Sequence, residues 1–143
     1  NWWTEEDEKA FNQNSIKIID AYSVFKVNDS TFVNGELTLS ENIADFGGLR
    51  IAYDAFKLTK KGKSNKVIKG FSADQRFLIA YATISRQLMT DKELSMRLKR
   101  NVHSPGIARV NVNVSHFDPF YKAFEISDTN KLYIESDKRV SIW

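Results

Sequence analysis

The sequence predicts a mainly α-helical fold with short extended segments. Three observations carry this. Side-chain capping signatures recur at Thr4/Asp7, Ser72/Gln75 and Thr90/Glu93, apolar residues follow them at helical spacing, and β-branched, turn-rich sequence is confined to short stretches such as Ser23 to Thr38. No internal repeat, low-complexity tract or composition break divides the 143 residues, which are expected to form a single domain over 1–143.

Thr4 opens a first helix expected to run to Tyr22, with Phe11, Ile16, Ile18, Ile19 and Tyr22 forming an imperfect apolar stripe. The next stretch suits a loop or short hairpin with Asn34-Gly35 as a tight turn. Ser40 then reads as the cap of a second helix reaching about Lys60, with Ile43, Leu49, Ala52, Tyr53 and Phe56 available for burial. Lys60 to Lys69 is a polar connector. Its Gly62-Lys63-Ser64 is not a phosphate loop, because Lys57 stands where that motif needs its first glycine and no strand leads in.

Ser72 and Gln75 box the start of a third helix, on which Phe77, Tyr81, Ile84 and Leu88 fall at helical spacing; it is expected to be the central buried helix. Thr90 and Glu93 open a short amphipathic helix ending near Arg100. Pro105-Gly106 is expected to stop any helix and fix a turn, and Val110 to Val114 alternates like an extended segment. Asp118-Pro119 reads as an N-cap with proline at N1, opening a last helix through Phe120, Phe124 and Ile126.

A hydrophobic content of 42% with 13% aromatics places the chain among globular proteins rather than disordered ones. The net charge of +3 arises from interspersed acids and bases, so it makes no electrostatic case for nucleic acid or an anionic membrane; the Lys60 to Lys69 cluster fits a solvated loop. No apolar run is long enough to span a bilayer. With no cysteine, disulfides and thiolate metal sites are excluded. The opening N-W-W-T, without an initiating methionine, looks like the interior of a longer domain.

Candidate chemistry centres on Leu39 to Leu49, L-S-E-N-I-A-D-F-G-G-L. The i,i+4 spacing puts Glu41 and Asp45 on one face, either as half of a site or as acids stabilising the positive end of the helix dipole. Gly47 and Gly48 each cost a helix roughly 1 kcal/mol relative to alanine, which points to a close packing partner. His103 lies between a rigid turn and Arg109, whose fork of donors suits a carboxylate or carbonyl; His116 is expected to be a surface or capping residue. A catalytic zinc wants three protein ligands, commonly an H-E-x-x-H pair plus a carboxylate. This chain offers the carboxylate but not the histidine pair, so alone it should not build such a site.

Taken together, E-N-I-A-D-x-G-G (Glu41 to Gly48), V-H-S-P-G-x-x-R (Val102 to Arg109), W-W-T at the start, V-N-G before the acidic helix and the terminal Trp143 resemble the neprilysin family of zinc metallopeptidases. The resemblance implies the helical C-terminal subdomain of a thermolysin-like (zincin) catalytic domain, separated from the H-E-x-x-H segment that lies upstream of W-W-T in that family. It implies that Glu41 is the third zinc ligand, Asp45 the carboxylate bracing a zinc-binding histidine, His103 the oxyanion-stabilising histidine and Arg109 the residue that grips a substrate carbonyl. Two features depart from the family pattern. Asn101 stands where relatives often carry an acid, so His103 should be less readily protonated than in relatives, and the ending R-V-S-I-W lacks the cysteine of C-R-V-W, as in a bacterial member without disulfides.

The implied activity is endopeptidase cleavage of short peptides, with zinc as cofactor in the intact enzyme and the isolated piece inactive. The implied location is periplasmic, cell-surface or secreted. The alternative is a non-catalytic peptide-binding or regulatory module that keeps the fold without metal. If the zinc helix is missing, faces around Gly47 and Gly48 should be left exposed, or covered by a second copy in a homodimer.

Overall fold

The computed structural model describes residues 2–28 and 31–141. Trp143, the expected counterpart of the family's last residue, lies outside them. Among the described residues the order is α1 (Glu5–Ser23), β1 (Lys26–Asn28), β2 (Thr31–Phe32), α2 (Leu39–Leu58), α3 (Ala73–Ile84), α4 (Asp91–Arg100), α5 (Gly106–Ser115) and α6 (Asp118–Phe124), then a 3-10 turn at Ser136–Lys138. The strands pair antiparallel, with Lys26 opposite Phe32.

Local capping chemistry sets several helix starts as expected. The Thr4 hydroxyl accepts from the Asp7 N–H, and Ser72 and Gln75 form a complete capping box. At Thr90 only half of the box is made, because the Glu93 carboxylate turns to Arg97 at 2.7 Å while its N–H donates to Thr90. The second helix differs at its start. It begins at Leu39 with Thr38 in the cap position, and Ser40 lies inside the first turn. Asn34 explains the shift: its side chain accepts from Leu37 N–H and its carbonyl accepts from the Thr38 N–H and hydroxyl, so the turn containing Gly35 runs straight into the helix.

The expected central helix is a different one. On α3 only Ala73 and Leu78 are buried, Ile84 is exposed, and Leu88 lies beyond its end in full contact with solvent. The centre is α5, in the stretch expected to be extended. One apolar cluster joins Ala108 and Val112 to Ile18, Tyr22, Val33 and Val140; a second joins Val114 to Leu49, Leu78 and Phe117. Thus α5 is a wall shared by both, which is why its burial covers much of its circumference and leaves no single helical stripe to read. Packing on several sides overrides the β-leaning valines. Burying Ile18 completely contributes about 1.5–3 kcal/mol relative to leaving it exposed.

Pro105-Gly106 therefore starts a helix instead of preventing one, with Pro105 at the cap. α6 ends at Phe124, short of the expected Ile126, where Glu125 adopts a left-handed conformation. Ala52, expected in the core, is exposed.

Gly106 is required by a close approach. A Cβ there would collide with the backbone carbonyl of Ser85, the residue that ends α3, so the α3 terminus and the start of α5 dock only through a glycine. Gly106→Ala is expected to destabilise the chain by about 1–3 kcal/mol, read as a lower urea midpoint at unchanged slope. An unchanged midpoint would show that this contact is easily relieved.

Candidate active site

Glu41 sits in the first turn of α2 and Asp45 one turn later, as the spacing required. Opposite them stand the loop carrying His103 and the first turn of α5, which carries Arg109. The structure brings all four together as two contacts, Glu41 with His103 and the ion pair of Asp45 with Arg109. Glu41 Oε2 is 3.1 Å from His103 Nε2, with both side chains about half exposed. Arg109 grips Asp45 in a fork, Nε to Oδ2 at 2.6 Å and Nη2 to Oδ1 at 2.7 Å, in a more buried setting.

The His103 ring is held from its other side. Asn101 Oδ1 accepts from the His103 backbone N–H at 2.9 Å and lies 3.2 Å from Nδ1. Because a backbone N–H can only donate, this bond fixes the orientation of the Asn101 amide, and the same oxygen then favours a proton on Nδ1. Asparagine thus holds the His103 loop and ring without bringing a charge.

Behind the pairs lies a polar network that the sequence reading did not single out. Tyr22 donates to Asn113 Oδ1 at 2.7 Å, Asn113 Nδ2 donates to the Tyr81 hydroxyl at 2.7 Å, and Tyr81 donates to the Arg109 carbonyl at 3.1 Å. Burial, reinforced by the Asp45 charge, pushes the Tyr22 phenol far up from its ordinary range; burial lifts Tyr81 to about 12, so both remain neutral donors. Hydrogen bonding to Asp45 raises the Arg109 pKa against the opposing effect of burial. A V-N-V-N-V alternation was the available signal, since a buried asparagine among valines needs partners.

Among the described residues no group of three or more His, Cys, Asp and Glu converges to hold a metal. Glu41 can offer one oxygen ligand, and the others must come from elsewhere. Gly48 has no approaching partner: a Cβ there would meet nothing within 4 Å, whereas Gly47 is buried. A concavity of about 700 Å³ between α1, α5 and the C-terminal segment contains none of the four site residues.

Comparison with known proteins decides the family. The sequence model of Peptidase family M13 matches residues 1–140. The chain belongs to peptidase family M13. It is 30% identical over 146 residues to Neprilysin-3 of Drosophila melanogaster, covering 99% of this chain and 18% of that protein. It is also 30% identical over 142 residues to a neutral endopeptidase of Lactococcus lactis, covering 99% and 21%. Among solved structures, the Mycobacterium tuberculosis zinc metalloprotease Zmp1 in complex with an inhibitor superposes with a TM-score of 0.94 at 34% identity, over 100% of this chain and 23% of that one. PepO from Lactobacillus rhamnosis superposes with a TM-score of 0.83 at 31% identity, over 100% and 21%. The chain spans about a fifth of the length of these M13 relatives, and its mainly helical fold is that of the helical part of their zincin domain.

His116 stays outside this cluster and occupies the C-cap of α5, as the capping reading expected. Its Nδ1 accepts from the Val140 N–H at 3.0 Å, so it pins the C-terminal segment to α5. Burial, with the Arg139 charge adding to it, lowers its pKa from 6.5 to about 4. The folded state therefore resists a proton that the unfolded chain accepts. Stability present above pH 6.5 is expected to decline as pH falls through 6.5 towards 4. Urea midpoints at pH 7 and pH 4.5 read this, and the decline should shrink in His116→Gln, which keeps an acceptor but does not titrate.

Proposed function

We propose that residues 1–143 form one folding unit, the C-terminal part of the catalytic domain of a zinc endopeptidase that cleaves short peptides. The observation that carries this is the meeting of Glu41 and Asp45 on one helix with His103 and Arg109 from a distant segment, two acids against two donors across a short gap. M13 membership supports the reading.

The residues fit a zinc site that this chain only partly supplies. The Glu41 carboxylate is an oxygen donor at an open helix start, with 40% of its side chain exposed. The face it occupies continues along α2 as Ala44, Gly48, Ile51, Ala52 and Ala55, all exposed, which leaves room for another element to come close. Upstream residues bearing two histidines would meet that face. Glu41 and two such histidines would hold a zinc ion, which when bound would supply Lewis-acid polarisation of the scissile carbonyl and an activated water.

Further roles would fall to this chain's own side chains, while the general base would come with the upstream histidines. His103 Nε2, which faces Glu41 at 3.1 Å, would donate to the carbonyl oxygen as negative charge develops there. Arg109 commits Nε and Nη2 to Asp45, so its Nη1 donors are left to hold a backbone carbonyl of the peptide. Asp45 keeps the guanidinium in plane and would orient a ligating imidazole through its far nitrogen. No helix among the described residues is long and apolar enough to cross a membrane, and a periplasmic, cell-surface or secreted location follows from the family resemblance alone.

Zinc titration of this chain beside a protein extended upstream tests the ligand assignment. The longer protein should bind one zinc tightly, Glu41→Ala should abolish tight binding, and Asp45→Ala should weaken it about 10- to 100-fold. Tight stoichiometric zinc in the 143-residue chain would overturn the divided site. In the intact enzyme, His103→Ala is expected to lower kcat by roughly 100- to 1,000-fold with zinc content unchanged. Unaltered turnover would remove His103 from the reaction.

A further inference from the structure

Between the two motifs runs a buried chain of hydrogen bonds with a single possible direction. Thr38 Oγ1 donates to the Asn34 carbonyl at 2.9 Å, and a carbonyl can only accept. The one hydroxyl proton of Thr38 is thereby used, so at 2.9 Å Thr38 Oγ1 must accept from Asn42, which fixes Nδ2 on that side. The Asn42 oxygen consequently faces Ser104, whose hydroxyl donates to it at 2.8 Å. Asn42 is completely buried, and Ser104 and Thr38 are nearly so. Every polar atom of the Asn42 side chain is thus engaged on both sides, one end tied to the start of its own helix and the other to a loop 62 residues away.

The neighbours of this clamp give it meaning. Glu41 directly precedes Asn42, and His103 directly precedes Ser104. We propose that Asn42 and Ser104 are positioning residues that set the His103 imidazole opposite Glu41 by locking its loop to the first turn of α2. This rests on the endopeptidase reading for its consequence in catalysis, while the clamp itself is a statement about where the ring sits. Neither residue touches the gap. Asparagine is needed at 42 because one side chain must accept from Ser104 and donate to Thr38 at once; an aspartate would set a carboxylate against a hydroxyl oxygen whose proton is already given away. Serine at 104 needs only its donated proton. His103 keeps other tethers, to Asn101 and Glu41, so losing the clamp should displace the ring without releasing it.

The test uses the intact zinc-loaded enzyme that contains this chain, with Ser104→Ala, Ser104→Thr and His103→Ala, singly and with Ser104→Ala combined with His103→Ala. Ser104→Ala should lower kcat about 10- to 100-fold, the scale of a misplaced catalytic group, with KM and zinc content nearly unchanged. Ser104→Thr, which keeps the donor, should restore most of it. In the His103→Ala background Ser104→Ala should cost nothing further, because its effect acts through the imidazole. A second readout needs no turnover: in zinc-free enzyme labelled at histidine Cε1, the resonance assigned to His103 by its loss in His103→Ala should shift in Ser104→Ala and return in Ser104→Thr. Losses that add to that of His103→Ala would mark a general structural role and overturn the proposal. So would an unmoved resonance. Unchanged turnover in His103→Ala would sink the endopeptidase reading instead, and the resonance would still decide the clamp.

Discussion

The fork between Arg109 and Asp45 is the constraint on which the site depends. Two charged groups with 27% and 18% of their side chains exposed have given up much of their hydration, and only a two-bond geometry recovers it. Such a pair is a poor source of net stability but a strict setter of position, because losing one partner strands the other. It therefore fixes how α5 lies on α2. The Tyr22–Asn113–Tyr81 network reinforces that placement from behind, reaching the Arg109 carbonyl while the guanidinium faces Asp45.

The glycines on either side of this contact have opposite reasons. Gly106 is there because a backbone already lies against it, the carbonyl that ends α3. Gly48 has open space, although a glycine inside a helix costs roughly 1 kcal/mol relative to alanine. The described residues contain nothing that offsets this cost. Together with the exposed Ala44, Ile51, Ala52 and Ala55 it forms an exposed face beside Glu41, whereas Gly47, also expected on an exposed face, is buried.

What could be read from sequence was what is decided locally. The Ser72/Gln75 box and the Thr4 cap are bonds between residues three apart, and they form as written. Ser40 failed as a cap because Asn34, further back, organises the turn. The helix at α5 was illegible because burial on several sides erases periodicity, and its valines argued for a strand. Leu88 fell at helical spacing beyond a helix that had already ended at Ile84. Glu41, Asp45, His103 and Arg109 stand out as candidates through motif resemblance, and the fold brings them together. Asn42 and Ser104 lay inside those same motifs unnoticed, since nothing in a sequence says that residues so far apart share one hydrogen bond.

The pairing in the structure also bears on whether Asp45 can serve two partners. A carboxylate has two oxygens and about four lone-pair directions, and Arg109 occupies one on each oxygen. Capacity for one more donor therefore remains. An imidazole N–H arriving from another element could be accepted without releasing the guanidinium, so the roles proposed for Arg109 and Asp45 need not compete. Glu41 differs: its Oε2 lies 3.1 Å from His103 Nε2, and no fork of donors holds it. The two acids share a helix face yet stand in unlike surroundings. Asp45 is held by two short bonds in a more buried setting, whereas Glu41 is about half exposed and makes a single 3.1 Å contact with His103.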